Sequence, residues 1–72
     1  MSEKEYVKII EAMDNFLGVA KGIVDAHEGE DVKDGIDSSF YDLLMEIMEA
    51  QIVFKKMARH KYGITVMTVN EP

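Results

Sequence analysis

The stretch SSFYDLLMEIMEAQIVFKKMARHKY, residues 38–62, decides the fold. Phe40, Leu43, Leu44, Ile47, Ala50, Phe54, Met57 and Ala58 recur at helical spacing and form one broad apolar face. Tyr41, Met45, Met48 and Ile52 form a second face beside it. The polar stripe is narrow, made of Asp42, Glu46, Glu49, Lys56 and His60, and Val53 interrupts it. A helix that is apolar most of the way round is a buried helix, and one neighbouring helix covers only one of its faces.

That neighbour lies upstream. Ser2-Glu3-Lys4-Glu5 reads as a capping box, in which the serine hydroxyl accepts from a first-turn N–H and the glutamate reaches back. Tyr6, Ile10, Met13, Leu17, Ala20, Val24 and His27 then come at alternating spacings of four and three, and Ile9, Phe16 and Ile23 widen the stripe. The pattern predicts a helix over about 3–28 and a second over 38–62. Gly29 stops the first, and Asp37, Ser38 or Ser39 caps the second, with Ser39 and Asp42 at capping-box spacing. Gly63 ends the second helix. Residues 63–72 then form a tail in which Ile64 to Val69 is β-branched and alternating, with no second strand in the chain to pair with.

The expected fold is therefore all-α: one domain, an antiparallel two-helix hairpin with a short β-prone C-terminal tail. Seventy-two residues make a marginal core, and the absence of cysteine excludes disulfides and thiolate metal sites. A buried Val, Leu, Ile, Phe or Met side chain is worth roughly 1.5–3 kcal/mol. Leaving four exposed forfeits on the order of 6–12 kcal/mol, comparable to the whole stability of a domain. Self-association is the resulting expectation, as a homodimeric four-helix bundle or a higher oligomer. Its interface is expected at Tyr41, Met45, Met48 and Ile52, with Gln51 as a polar residue that sets register.

Charge is divided unevenly. Residues 1–37 carry ten acids and four bases, whereas residues 38–72 carry four of each, for a net charge of −6. That balance disfavours nucleic acid and anionic membrane as partners. The run Lys55-Lys56-Met57-Ala58-Arg59-His60-Lys61 is the best candidate for a ligand site, an anion or nucleotide gripped by Lys55, Lys56, Arg59, His60 and Lys61. Basic residues at a helix C-terminus also simply complement its dipole. The acidic half, including Glu30, Asp31 and Asp34, invites a different reading, imitation of a phosphate array by a small inhibitor of a nucleic-acid-binding protein.

Chemistry is otherwise sparse, and no metal, cofactor or catalytic group is assigned. Aligning Gly35 with the glycine of a calcium loop puts Val32 and Tyr41 where carboxylates are needed. Glu11-x-x-Asp14 and Glu46-x-x-Glu49 reverse the order used by all-helical nucleotide pyrophosphatases, and fall on or near outward stripes. There is no His-Glu-x-x-His, no phosphate-cradling glycine loop and no glycine elbow around Ser38 or Ser39. No 18-residue apolar run marks a membrane span, and no secretory signal is expected from the mixed-charge start. The expected function is a non-enzymatic, cytoplasmic regulator or inhibitor that contacts itself and a second protein. Anion binding and phosphate mimicry stand as the alternatives.

Overall fold

The computed structural model describes residues 1–27 and 38–70, and within them the architecture is two packed helices, α1 (Glu3–Ala26) and α2 (Ser38–Tyr62). The start of α1 is built as its sequence requires. Ser2 Oγ accepts from the Glu5 N–H at 3.2 Å, and the Ser2 N–H donates to Glu5 Oε1 at 2.7 Å. Two first-turn donors are thereby satisfied by one reciprocal pair. At its other end α1 closes at His27, whose N–H donates to the Val24 carbonyl. Glu28, the expected stop at Gly29 and the expected cap at Asp37 lie outside the described residues.

The end of α2 depends on Gly63. Its φ of +68° is a left-handed conformation, and its N–H donates to the Arg59 carbonyl at 2.8 Å. Glycine adopts that conformation at no steric cost, and it satisfies one of the orphan carbonyls of the last turn. The turn also redirects the chain, so that the tail runs back over the hairpin.

The helices pack antiparallel. Tyr6, near the start of α1, meets Phe54 and Tyr62 near the end of α2, with ring centroids 6.0 and 5.9 Å apart. Tyr6, Ile10 and Ala58 are the buried centre, with Phe54, Tyr62, Ile64 and Val66 packed around them. Leu17 and Ala20 continue the buried line along α1. Gln51 is 1% exposed, and its Nε2 donates to the Ile10 carbonyl at 3.3 Å. The polar residue expected between copies therefore lies inside its own hairpin, where it ties α2 to the backbone of α1.

The tail has a partner in the same chain. No strand forms among the described residues. Residues 64–68 run along the helix pair and the chain bends at 69–70, with side chains alternating in and out as an extended backbone dictates. Ile64 and Val66 face the core, while Met67 and Val69 are 84% and 91% exposed. The molecule is elongated, 45 × 18 × 16 Å, and no described helix is long and apolar enough to cross a membrane.

Candidate functional site

Two surfaces of this hairpin carry the residues singled out by the sequence, and the tail lies on one of them. The first is the groove the tail occupies. Asp14 of α1 is buried and accepts from the Val69 N–H at 3.3 Å through Oδ2 and from the Asn70 N–H at 2.8 Å through Oδ1. Asn70 Nδ2 donates to the Asp14 carbonyl at 3.1 Å. On α2, Lys55 Nζ donates to Thr68 Oγ1 at 2.6 Å. The tail is thus pinned to both helices.

Spacing alone places Asp14 on or near an outward stripe, as half of a carboxylate pair with Glu11. The structure separates the two, with Glu11 exposed and Asp14 turned to the tail. Asp14 lies four residues after Ile10 and three before Leu17, on the flank of the buried line. That position is the available signal, and it carries no hint of which backbone the carboxylate receives.

Gly18, one turn on, explains itself here. A Cβ built on it would sit 2.8 Å from Asn70 Nδ2, whereas nothing lies within 4 Å of one on Gly22. The absence of a side chain at Gly18 lets the tail end lie against α1. The close approach comes from the same chain.

Beyond Asn70 the groove continues as an open, mainly apolar recess of about 360 Å³, lined by Leu17, Lys21 and Val24 of α1 and Tyr41, Leu44 and Met48 of α2. Tyr41 and Met48, two of the expected interface residues, line it. Met45 and Ile52 are exposed at 57% and 45%. This side of α2 is shared between the tail and solvent.

The basic cluster is divided. Lys55, Lys56 and Arg59 line a recess of about 250 Å³ closed on one side by Ile64–Met67 of the tail. Lys61 turns away from the recess toward the start of α1, where its ammonium lies 5.7 and 5.4 Å from the Tyr6 and Tyr62 ring centroids and donates to the Met1 carbonyl. Tyr62 Oη also donates to the Met1 carbonyl, at 2.6 Å. Neither Lys61 nor exposed His60 lines the recess. Three of the five candidate anion ligands are brought together. The acidic residues Glu30, Asp31 and Asp34 lie outside the described residues.

The second surface lies opposite the tail and is apolar. Phe16 and Ile23 of α1 are 38% and 43% exposed, and Leu43, Val53 and Met57 of α2 are 43%, 53% and 42% exposed. Among the described residues no three His, Cys, Asp or Glu side chains converge as a metal set. No known protein-family model matches the chain, and no curated protein or solved structure is significantly similar to it.

Proposed function

We propose that this protein is a small oligomeric regulator or inhibitor that works through protein–protein contacts, with itself and with a second protein, and without chemistry of its own. The observation that carries this reading is the exposed apolar surface on both helices, Phe16 and Ile23 with Leu43, Val53 and Met57. Each of these side chains is about half exposed, so covering what remains is worth on the order of 1 kcal/mol apiece, and a contact that covers all five has a substantial driving force. Contiguous apolar surface on a small polar protein marks an interaction site. The cytoplasm, where cysteine-free chains lose nothing, fits this role.

The test is reconstitution. A protein recovered with the tagged chain is purified, and its activity is titrated against wild type and a Leu43→Asp variant of retained helicity. A dose-dependent change in activity that Leu43→Asp loses supports the proposal. A chain that captures only itself, or a change that Leu43→Asp leaves intact, counts against it.

One observation favours a second reading, the recess formed by Lys55, Lys56 and Arg59 beside the tail. Two lysines and an arginine suit a phosphate or carboxylate, which arginine can grip with two parallel hydrogen bonds. Calorimetry against a nucleotide panel decides it. Binding heat that disappears in Arg59→Ala supports an anion site, and no heat, or heat unchanged in Arg59→Ala, rejects it.

A further inference from the structure

The apolar face opposite the tail has an internal symmetry that points to one occupant. Ile9, Phe16 and Ile23 lie seven residues apart on α1, and Leu43, Ala50 and Met57 lie seven apart on α2. Seven residues are close to two helical turns, so each trio forms a single straight row. At about 100° per residue, the α1 row lies to one side of the buried Ile10–Leu17 line, while Asp14 and Gly18, which meet the tail, lie to the other. Lys55, which also meets the tail, lies on the tail flank of buried Gln51 and Ala58, and the α2 row lies on the opposite flank. The two rows therefore run side by side along the face the tail leaves open. Phe16 and Ala50 stand near the middle of their helices, with large apolar residues equidistant on either side.

We infer that this face docks a second copy of the chain in antiparallel orientation, about a two-fold axis passing beside Phe16 and Ala50. The inference rests on the self-association in the proposed function and specifies its geometry. A two-fold axis lying across the helices stacks α1 on α1 and α2 on α2. Ile9 then meets Ile23 of the second copy, Leu43 meets Met57, and Phe16 and Ala50 each meet their own counterparts. The alternative two-fold axis, parallel to the helices, stacks α1 on α2 and sets the copies in the same direction.

Apolar matching does not separate these arrangements, but charge does. Toward the end where α1 stops and α2 starts stand Asp25, Asp42 and Glu46 against Lys21, and the end of α2 carries Lys55, Lys56, Arg59 and Lys61, with Lys4 and Lys8 offsetting Glu3 and Glu5 of α1 beside them. Copies set in the same direction place acidic end beside acidic end and basic beside basic. Antiparallel copies place the acidic end of each beside the basic end of the other.

Ala50→Cys is the deciding variant, because only the antiparallel arrangement brings position 50 against itself. Under mild oxidation it is expected to form a covalent dimer, and Ile9→Cys alone is not. Ile9→Cys mixed with Ile23→Cys is expected to yield the mixed disulfide. Phe16→Asp, checked for retained helicity, is expected to weaken self-association at least about a hundredfold, because two carboxylates are forced into an apolar contact. A wild-type chain that is monomeric overturns the self-association and this interface with it. A wild-type dimer in which Ala50→Cys fails to crosslink, or Phe16→Asp still dimerises, overturns this interface alone. If Phe16→Asp fails to fold, the crosslinking pattern decides by itself.

Discussion

Removing the Asp14 carboxylate should release the tail without melting the hairpin. Asp14 accepts from the Val69 N–H at 3.3 Å and the Asn70 N–H at 2.8 Å, and holds Asn70 Nδ2 through its own carbonyl. Hydrogen bonds to a charged acceptor contribute about 1.5–3 kcal/mol each when the alternative is an unsatisfied group. Here the alternative is milder. Val69 is 91% exposed, so its N–H and that of Asn70 meet water once the tail lifts. The cost of Asp14→Ala is therefore expected at about 1–3 kcal/mol for both bonds together. It is bounded above by the free energy of tail docking, since beyond that the tail simply detaches. The helix contacts among Tyr6, Ile10, Phe54 and Ala58 do not depend on Asp14.

Two assays separate the local effect from the global one. Amide exchange read at residues 64–70 should accelerate in Asp14→Ala, and helical circular dichroism should stay near the wild-type value. Asp14→Asn should fall between, because a carboxamide offers one accepting oxygen in place of two. A tail whose exchange is unchanged in Asp14→Ala refutes the reasoning. So does a variant that loses helicity and tail protection together, because Asp14 would then support the hairpin itself.

Three further outcomes are expected. Gly22→Ala should stabilise the chain by about 0.5–1 kcal/mol, since a Cβ there meets nothing within 4 Å, while Gly18→Ala should give back most of that gain by pushing Asn70 off the Asp14 carbonyl; urea melts of the two variants check the contrast. Gln51→Met, which keeps volume and removes one hydrogen bond to the Ile10 carbonyl, should change stability by no more than about 1.5 kcal/mol, while Gln51→Ala should cost about 2–4 kcal/mol by opening a cavity, both read in urea. Glu5 is held below the ordinary value of 4.5, first by the Ser2 N–H and then by the Ser2 hydroxyl and the nearby N-terminus, so its contribution is present above that value and lost as pH falls through the depressed one; thermal melts from neutral pH to pH 3 should show the advantage of wild type over Glu5→Gln shrinking below about 4.5.

Most of the hairpin is legible in the sequence because its determinants are local. The Ser2–Glu5 box, the 3.6-residue stripe from Tyr6 to Val24 and the stop at Gly63 each depend on residues a few positions apart, and all three are in the structure. The features that escape are long-range. Asp14 and Asn70 are 56 residues apart, and no periodicity connects them. The β-branched tail has the pattern of a strand in need of a partner strand, and it finds a groove between helices. Gly18 makes room for Asn70, 52 residues further along the chain, and nothing local to α1 announces that neighbour. Gln51 stands out correctly as a buried amide, yet the sequence does not say which backbone it binds.

The candidate site is legible in kind. The pattern assigns apolar excess to the face of Tyr41, Met45, Met48 and Ile52, and of these Tyr41, Met45 and Ile52 are exposed while Met48 is half-buried at the recess beside Asn70. Phe16, Ile23, Leu43 and Met57 read as parts of core stripes, and they emerge as exposed because the two helices meet along narrower lines than those stripes. The basic run reads as one cluster in sequence, and helical rotation splits it between the tail recess and the Met1 carbonyl.

The central claim is that the apolar face left open by the tail is covered by another copy of the chain. Sedimentation equilibrium at micromolar concentration tests it most directly. A mass of about twice the 8.2 kDa chain is the expected result, and a monodisperse, fully helical species at 8.2 kDa would contradict it.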